Sequence, residues 1–150
     1  MTDLALVWNG READLVIEDG DFVLDDSLQT PMVISLFSDR RARADDALPD
    51  SNSTDRRGWV GDAWPDVPAD LIGSRLWLLG REKEIAETLR RAREYGKESV
   101  AWTLDDGIAA KVEVTASVPK RGTLRLQVVI SRRNGQTENY QYDTLWDALK

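Results

Sequence analysis

Three adjacent carboxylate pairs, Asp25-Asp26, Asp45-Asp46 and Asp105-Asp106, are where this 150-residue chain comes nearest to having catalytic chemistry. Two carboxyl groups held a few ångströms apart can divide acid and base work on a glycosidic bond. Adjacency does not achieve that, because neighbouring residues on a helix point about 100° apart. Asp105-Asp106 run into Gly107, a helix-end pattern rather than a paired acid. The Asp19-Gly20-Asp21 run before Asp25-Asp26 lacks the regular spacing and distal Glu of a calcium loop and reads as a hairpin turn. The chain has no His and no Cys, so Ser–His and Cys–His nucleophiles, thiol chemistry and the usual zinc sites cannot be assembled. Neither glycine-rich phosphate-binding pattern occurs. No cofactor is expected.

What remains is recognition chemistry. Between Asp55 and Leu79 the chain reads DRRGWVGDAWPDVPADLIGSRLWLL, with three of its six tryptophans and five glycines and prolines. Trp and Arg dominate interface hot spots: one offers a large rigid apolar area, the other a flat, weakly hydrated charge with a donor fork. The candidate interface residues are therefore Arg40, Arg41, Arg56, Arg57, Trp59, Asp62, Trp64, Arg75 and Trp77, with Trp102 and Asp105 further on. Trp59 and Trp77 are the expected anchors. The bland alternative is that these indoles fold onto the chain's own core and the arginines are solvated.

The elements that would position these groups follow from periodicity. Leu4, Leu6, Trp8 and then Leu15, Ile17, Phe22, Leu24 alternate around Asp19-Gly20, predicting an N-terminal hairpin. Leu28, Met32 and Leu36 recur every four residues, predicting a helix over 27–38 capped by Ser27, with Pro31 in its opening turn. Residues 44–70 carry no period; 45–54 read as a flexible excursion and the Trp-rich remainder as something that docks. A second helix is predicted over about 84–104, after a short helical piece at 74–79. Its inner face is Ile85, Leu89, Ala92, Gly96, Ser99 and Thr103, with Glu87, Arg90, Glu94 and Glu98 opposite. Strict alternation over 112–118 and 124–131, then Asn134-Gly135, predicts a meander whose last strand covers about 137–142. The fold class is α+β: a mostly antiparallel sheet with two main helices on one face, in one domain over 1–150. If that last strand ends the sheet, Thr137, Asn139, Tyr140, Gln141 and Tyr142 form an edge able to accept a strand from another chain.

Composition narrows the partners. A net charge of −7 is the wrong sign for a protein that neutralises phosphates, so nucleic acid is not the expected partner. No apolar run approaches the roughly 20 residues that span a bilayer, and MTDLALVWNG lacks the basic start and apolar stretch of a secretion signal. No membrane partner is expected, and the chain is expected to be made and assembled in the cytoplasm.

Several segments together resemble the small baseplate wedge protein family of Mu-like contractile-tailed phages and prophages. The matching words are DLALVWNG, DLVIEDGDFVLDD, ISLFSDRRA, DRRGWVGD, GSRLWLLGREK and AREYGKESVAWTLDDGIAAKVEV, spread over nearly the whole chain. The resemblance implies a structural job without catalysis, in a heteromeric wedge with larger wedge subunits, six wedges surrounding the tail hub and tube near the start of the sheath. It implies a place in the virion, with Arg40, Arg41, Arg56 and Arg57 pairing with acidic groups or carbonyls of a larger wedge protein. Two other classes remain open on the residues alone: a carboxylate-dependent, lysozyme-like cell-wall glycosidase, and a cytoplasmic adaptor.

Overall fold

The structure, a computed structural model, describes residues 2–149. Its first quarter holds six short strands: β1 (Asp3–Leu4), β2 (Leu6–Trp8), β3 (Ala13–Leu15), β4 (Ile17–Glu18), β5 (Asp21–Phe22) and β6 (Leu24–Asp25). They pair antiparallel as β1 with β6, β2 with β3 and β4 with β5. Three arms thus stand where one hairpin was expected. They meet at Ala5, Val16 and Val23, which bond one another in a ring: Ala5 N–H to Val23 O at 2.8 Å, Val16 N–H to Ala5 O at 3.0 Å and Val23 N–H to Val16 O at 2.9 Å. The Asp19-Gly20 turn forms as expected, with φ of +50° and +85°. The extra turn is at Asn9-Gly10, where the Asn9 side chain accepts from Arg11 and Glu12 N–H at 2.9 and 3.0 Å.

Helix α1 (Gln29–Phe37) buries Met32, Val33 and Leu36, the positions set by its period. Its first turn is satisfied from upstream: Ser27 Oγ accepts the Gln29 N–H at 3.0 Å and Asp25 accepts the Thr30 N–H at 3.2 Å. Buried Thr30 then clamps the arms to the helix, donating to Leu4 O and accepting from Leu6 N–H, both at 2.9 Å.

The second helical region divides into α2 (Ala86–Ser99) and α3 (Trp102–Asp105), not the single expected helix. Ser99 Oγ bonds back to Gly96 O, and Thr103 Oγ1 to Val100 O, each at 2.8 Å. Such back-bonding competes with the helix ladder at the break. Ala92, Gly96 and Ser99 face inward as expected, and a Cβ on Gly96 would lie 3.1 Å from Val114 Cγ1, so the helix rides close on the sheet. Ile85 corrects its expected inward placement: it precedes the helix in extended backbone and is exposed.

Strands β7 (Lys111–Lys120), β8 (Thr123–Ser131) and β9 (Thr137–Leu145) form an antiparallel sheet in that order. Val112, Val114, Leu124, Leu126, Val128, Ile130, Tyr140 and Tyr142 face the helices in one core. The opposite face is polar; there Arg125 grips Asp143 through two bonds of 2.7 and 2.8 Å. The fold class is α+β, with helices on one sheet face. A turn at Trp146–Leu149 tucks Trp146 inward, its Nε1–H donating to Leu79 O at 3.0 Å.

Ionisable groups near this sheet set its pH response. The Arg132 guanidinium, donating to Glu138, and Arg125, donating to Asp143, hold both carboxyls below their ordinary values. Burial works against Asp25, yet hydrogen bonds from Ser27 and Thr30 keep it low too. Burial, with Glu138 nearby, pushes the Tyr140 hydroxyl well up, and burial does the same for Tyr142. Lowered carboxyls stabilise the fold above about pH 4 and release that stability as pH falls through their folded values. Raised phenols leave full stability below about pH 10 and withdraw it above. With no His or Cys between them, unfolding midpoints in urea are expected to stay level from about pH 6 to 9. They should drop on both sides, and phenolate absorbance on the alkaline side should rise together with unfolding for two of the three tyrosines.

Candidate protein-docking site

Residues 38–75, between α1 and the 3-10 turn Leu76–Leu79, contain all five expected interface arginines, and their fixed points are internal ion pairs. Arg75 is the centre: its Nε–H donates to Glu98 at 2.9 Å and its Nη1–H to both Asp46 oxygens at 2.8 and 3.0 Å. Its side chain is only 10% exposed and lies over the Tyr95 ring, 4.4 Å from the centroid. Arg43 and Arg40 also reach Glu98, the latter at 3.8 Å. Arg40 donates to Leu71 O, Arg56 to the carbonyls of Arg43 and Ala44, and Arg41 to Arg57 O at 3.4 Å. Arg57 pairs with Asp39 at 2.9 Å and covers the Trp77 ring at 4.5 Å. Trp77 itself is 3% exposed, its Nε1–H donating to Arg40 O at 2.8 Å. The expected roles are corrected on both counts. Trp77 is a core residue with no surface to offer, and Arg40, Arg56, Arg57 and Arg75 are the internal fastenings of their own segment. A desolvated guanidinium is best satisfied by fixed carboxylates and carbonyls, and the chain supplies its own. Asp46 and partly buried Leu48 likewise tie down the segment read as a free excursion.

The other two indoles point the opposite way. Trp59 is 56% exposed and Trp64 79%, on a lobe built from the 3-10 turn Val60–Ala63 and the prolines that follow. Trp59 lies across the backbone of Gly61, where a Cβ would come within 2.2 Å of its ring, so that glycine is the seat of the indole. Asp62 closes the lobe by accepting the Ile72 N–H at 3.2 Å. Val60 and Val67 are exposed beside the indoles. Trp102, on α3, is half buried, its Nε1–H donating to Ser35 Oγ at 2.9 Å, and Asp105 is exposed at that helix's end.

A second apolar surface has no counterpart in the expected site. On the N-terminal arms Ile17, Phe22 and Leu24 are each at least half exposed, with Leu4, Val7 and Leu15 adding to them. Their alternation around Asp19-Gly20 was the visible signal, but a half-buried hairpin and an uncovered one share the same pattern.

Strand β9 is an edge of the sheet. Leu145 N–H bonds to Gly10 O at 2.7 Å and Trp8 Nε1–H to Asp143 O at 3.2 Å, so the β2–β3 loop seals its last residues. By alternation the backbone groups of Thr137, Asn139 and Gln141 point outward, whereas those of Tyr140 and Tyr142 pair with β8 while their rings face the core.

Among the described residues no group of three or more His, Cys, Asp or Glu could hold a metal ion. No helix among them is long and apolar enough to cross a membrane. Residues 28–137 match a protein-family model described as phage protein GP46. This chain belongs to that GP46 family. It is 42% identical over 149 residues to a protein of Escherichia phage Mu called baseplate protein gp46, covering 99% of this chain and all of the relative. It is 37% identical over 146 residues to the Mu-like prophage FluMu protein gp46 of Haemophilus influenzae, covering 97% of this chain and 98% of the relative. The GP46 match runs from Leu28, just before α1, to Thr137, the first residue of β9. It therefore contains the whole Arg75–Glu98 framework and the tryptophan lobe. The full-length GP46 relatives span the arms as well.

Proposed function

We propose that this chain is a structural, non-enzymatic subunit of a contractile phage tail baseplate, fitted into a wedge with larger wedge proteins and lying near the tail tube and sheath. The observation that carries the reading is the pair of exposed indoles, Trp59 and Trp64, on a lobe held at its far end by Arg40, which donates to Leu71 O. Soluble proteins rarely leave large apolar groups clustered in the open without a partner, and a full-length relative is named a baseplate protein. The carboxylate pairs support no hydrolysis. Asp25 caps α1, Asp46 is bound to Arg75, and Asp105-Asp106 end a helix.

Indoles that become buried at the centre of an interface carry about 2 kcal/mol or more each, roughly a thirty-fold change in affinity. Co-expressed with the larger wedge proteins of the same phage or prophage, the Trp59→Ala and Trp64→Ala variants are expected to remain soluble and folded but to fail to co-purify. Wild-type recovery of partners with both variants would remove the docking assignment.

The β9 edge supplies a second contact, the addition of a strand from a neighbouring tail protein such as the sheath. Asn139→Pro deletes an outward N–H and should leave stability within about 1 kcal/mol while blocking strand addition. Tyr140→Pro deletes a ladder bond and should cost about 3 kcal/mol or more. Tails that assemble normally with Asn139→Pro would exclude that edge as a contact.

A further inference from the structure

The tryptophan lobe does not stand alone. One cavity of about 350 Å³ lies between Trp59 and Trp64, and a second of about 300 Å³ runs over α1 to Trp102. The two linings share Asp70 and Ile72, so the groove between Trp59 and Trp64 adjoins the cavity beside Trp102. Its charge is one-sided. Asp62, Asp66 and Asp70 line the first cavity, Asp3, Asp70 and Asp106 the second, and neither lining includes a Lys or Arg. None of these five carboxylates takes part in an ion pair among the described residues, although twelve other pairs are formed there. Asp62 is held within the chain: Oδ1 takes the Ile72 N–H, and the buried Oδ2, without a hydrogen-bond partner, lies in the field of Arg40, whose buried Nε is likewise unpartnered, so the carboxylates free for another chain are the exposed Asp66 and Asp70. Elsewhere the chain neutralises its partly buried carboxylates with guanidinium groups and lays those groups on aromatic rings, as Arg57 does on Trp77 and Arg75 on Tyr95.

We infer that this groove receives an extended, arginine-bearing segment of another protein, whose guanidinium groups lie on Trp59 and Trp64 and pair with Asp66 and Asp70. The inference deepens the docking reading, on which it rests, by giving the partner's chemistry. A guanidinium is the cation that fits, because it stacks flat on an indole and is weakly hydrated, while the unpaired carboxylates supply the opposite charge. An acidic or uncharged segment would leave those carboxylates desolvated and uncompensated.

The test uses the full chain with its indoles labelled with ¹⁵N and two nine-residue peptides alternating serine with either arginine or citrulline, which keeps the shape and removes the charge. The arginine peptide is expected to shift the indole N–H signals of Trp59 and Trp64 saturably, at least about ten-fold more tightly than the citrulline peptide. Asp66→Asn with Asp70→Asn should erase that difference while the protein stays folded. Equal binding of the two peptides, unchanged Trp59 and Trp64 signals at millimolar arginine peptide, or an undiminished difference in the double variant would overturn the inference. If Trp59→Ala and Trp64→Ala lose their tail partners but Asp66→Asn with Asp70→Asn retains them in full, docking stands and the basic segment falls. If all these variants keep their partners, both fall together.

Discussion

Glu98→Ala is expected to lower unfolding stability by about 3–5 kcal/mol, the scale for removing one partner of a buried ion pair. Glu98 accepts from Arg75 and Arg43 and lies 3.8 Å from Arg40, and the side chains of Arg75 and Arg40 are 10% and 14% exposed. Removing the carboxylate leaves two guanidinium groups largely dry. Asp46 remains for Arg75, but Arg40 already has a buried Nε without a partner, and burial draws its pKa below the ordinary guanidinium value despite Glu98 and Asp62. The contrast is Glu94→Ala on the same helix, which breaks an exposed pair with Arg90 and should cost no more than about 0.5 kcal/mol. Urea midpoints of the two variants measure both. Equal, small losses would mean that the cluster is not what secures the segment.

Gly73→Ala should be comparably damaging for a different reason. Gly73 has φ of +86°, where alanine costs about 1–2 kcal/mol. A Cβ there would also stand 2.3 Å from the Ser38 carbonyl oxygen, a backbone atom that cannot turn aside. Relief requires separating Ser74 from Ser38 and Arg40, whose bonds of 2.9 Å in each direction hold the segment against the end of α1. With about 1 kcal/mol for each bond, the total loss should reach about 3 kcal/mol or more. Gly107→Ala serves as the control: φ is +70°, but nothing lies within 4 Å of the added methyl, so only the conformational cost should appear. Thermal or urea unfolding that ranks the two variants equally would contradict the steric account.

The sheet was legible in the sequence because β7 and β8 alternate over most of their length, Val129 and the end of β7 apart, and Asn134-Gly135 dictates its own turn. The positions of Met32, Leu36, Ala92 and Gly96 were legible for the same reason, a period of about 3.6 residues. The arginine framework was not. Arg75 meets Glu98 and Asp46 from 23 and 29 residues away, and no local pattern distinguishes a guanidinium that will be buried from one that will be solvated. Glu98 was assigned to the solvent face by its helical phase, and its inward role depends on a loop whose path no period encodes. Trp59 and Trp77 likewise look alike in sequence. Their difference arises because Trp77 follows the Gly73 turn into the core, whereas Trp59 sits on Gly61 above the surface.

The proposed docking puts Trp59 and Trp64 under other polypeptides in the finished tail, while the chain itself covers Trp77. Hydroxyl-radical labelling of the free chain and of intact tails, read by mass spectrometry at each tryptophan, tests this most directly. The expected result is ready oxidation of Trp59 and Trp64 in the free chain, strong protection of both in tails, and protection of Trp77 in both states. Equal oxidation of Trp59 and Trp64 in the free and assembled states would contradict it.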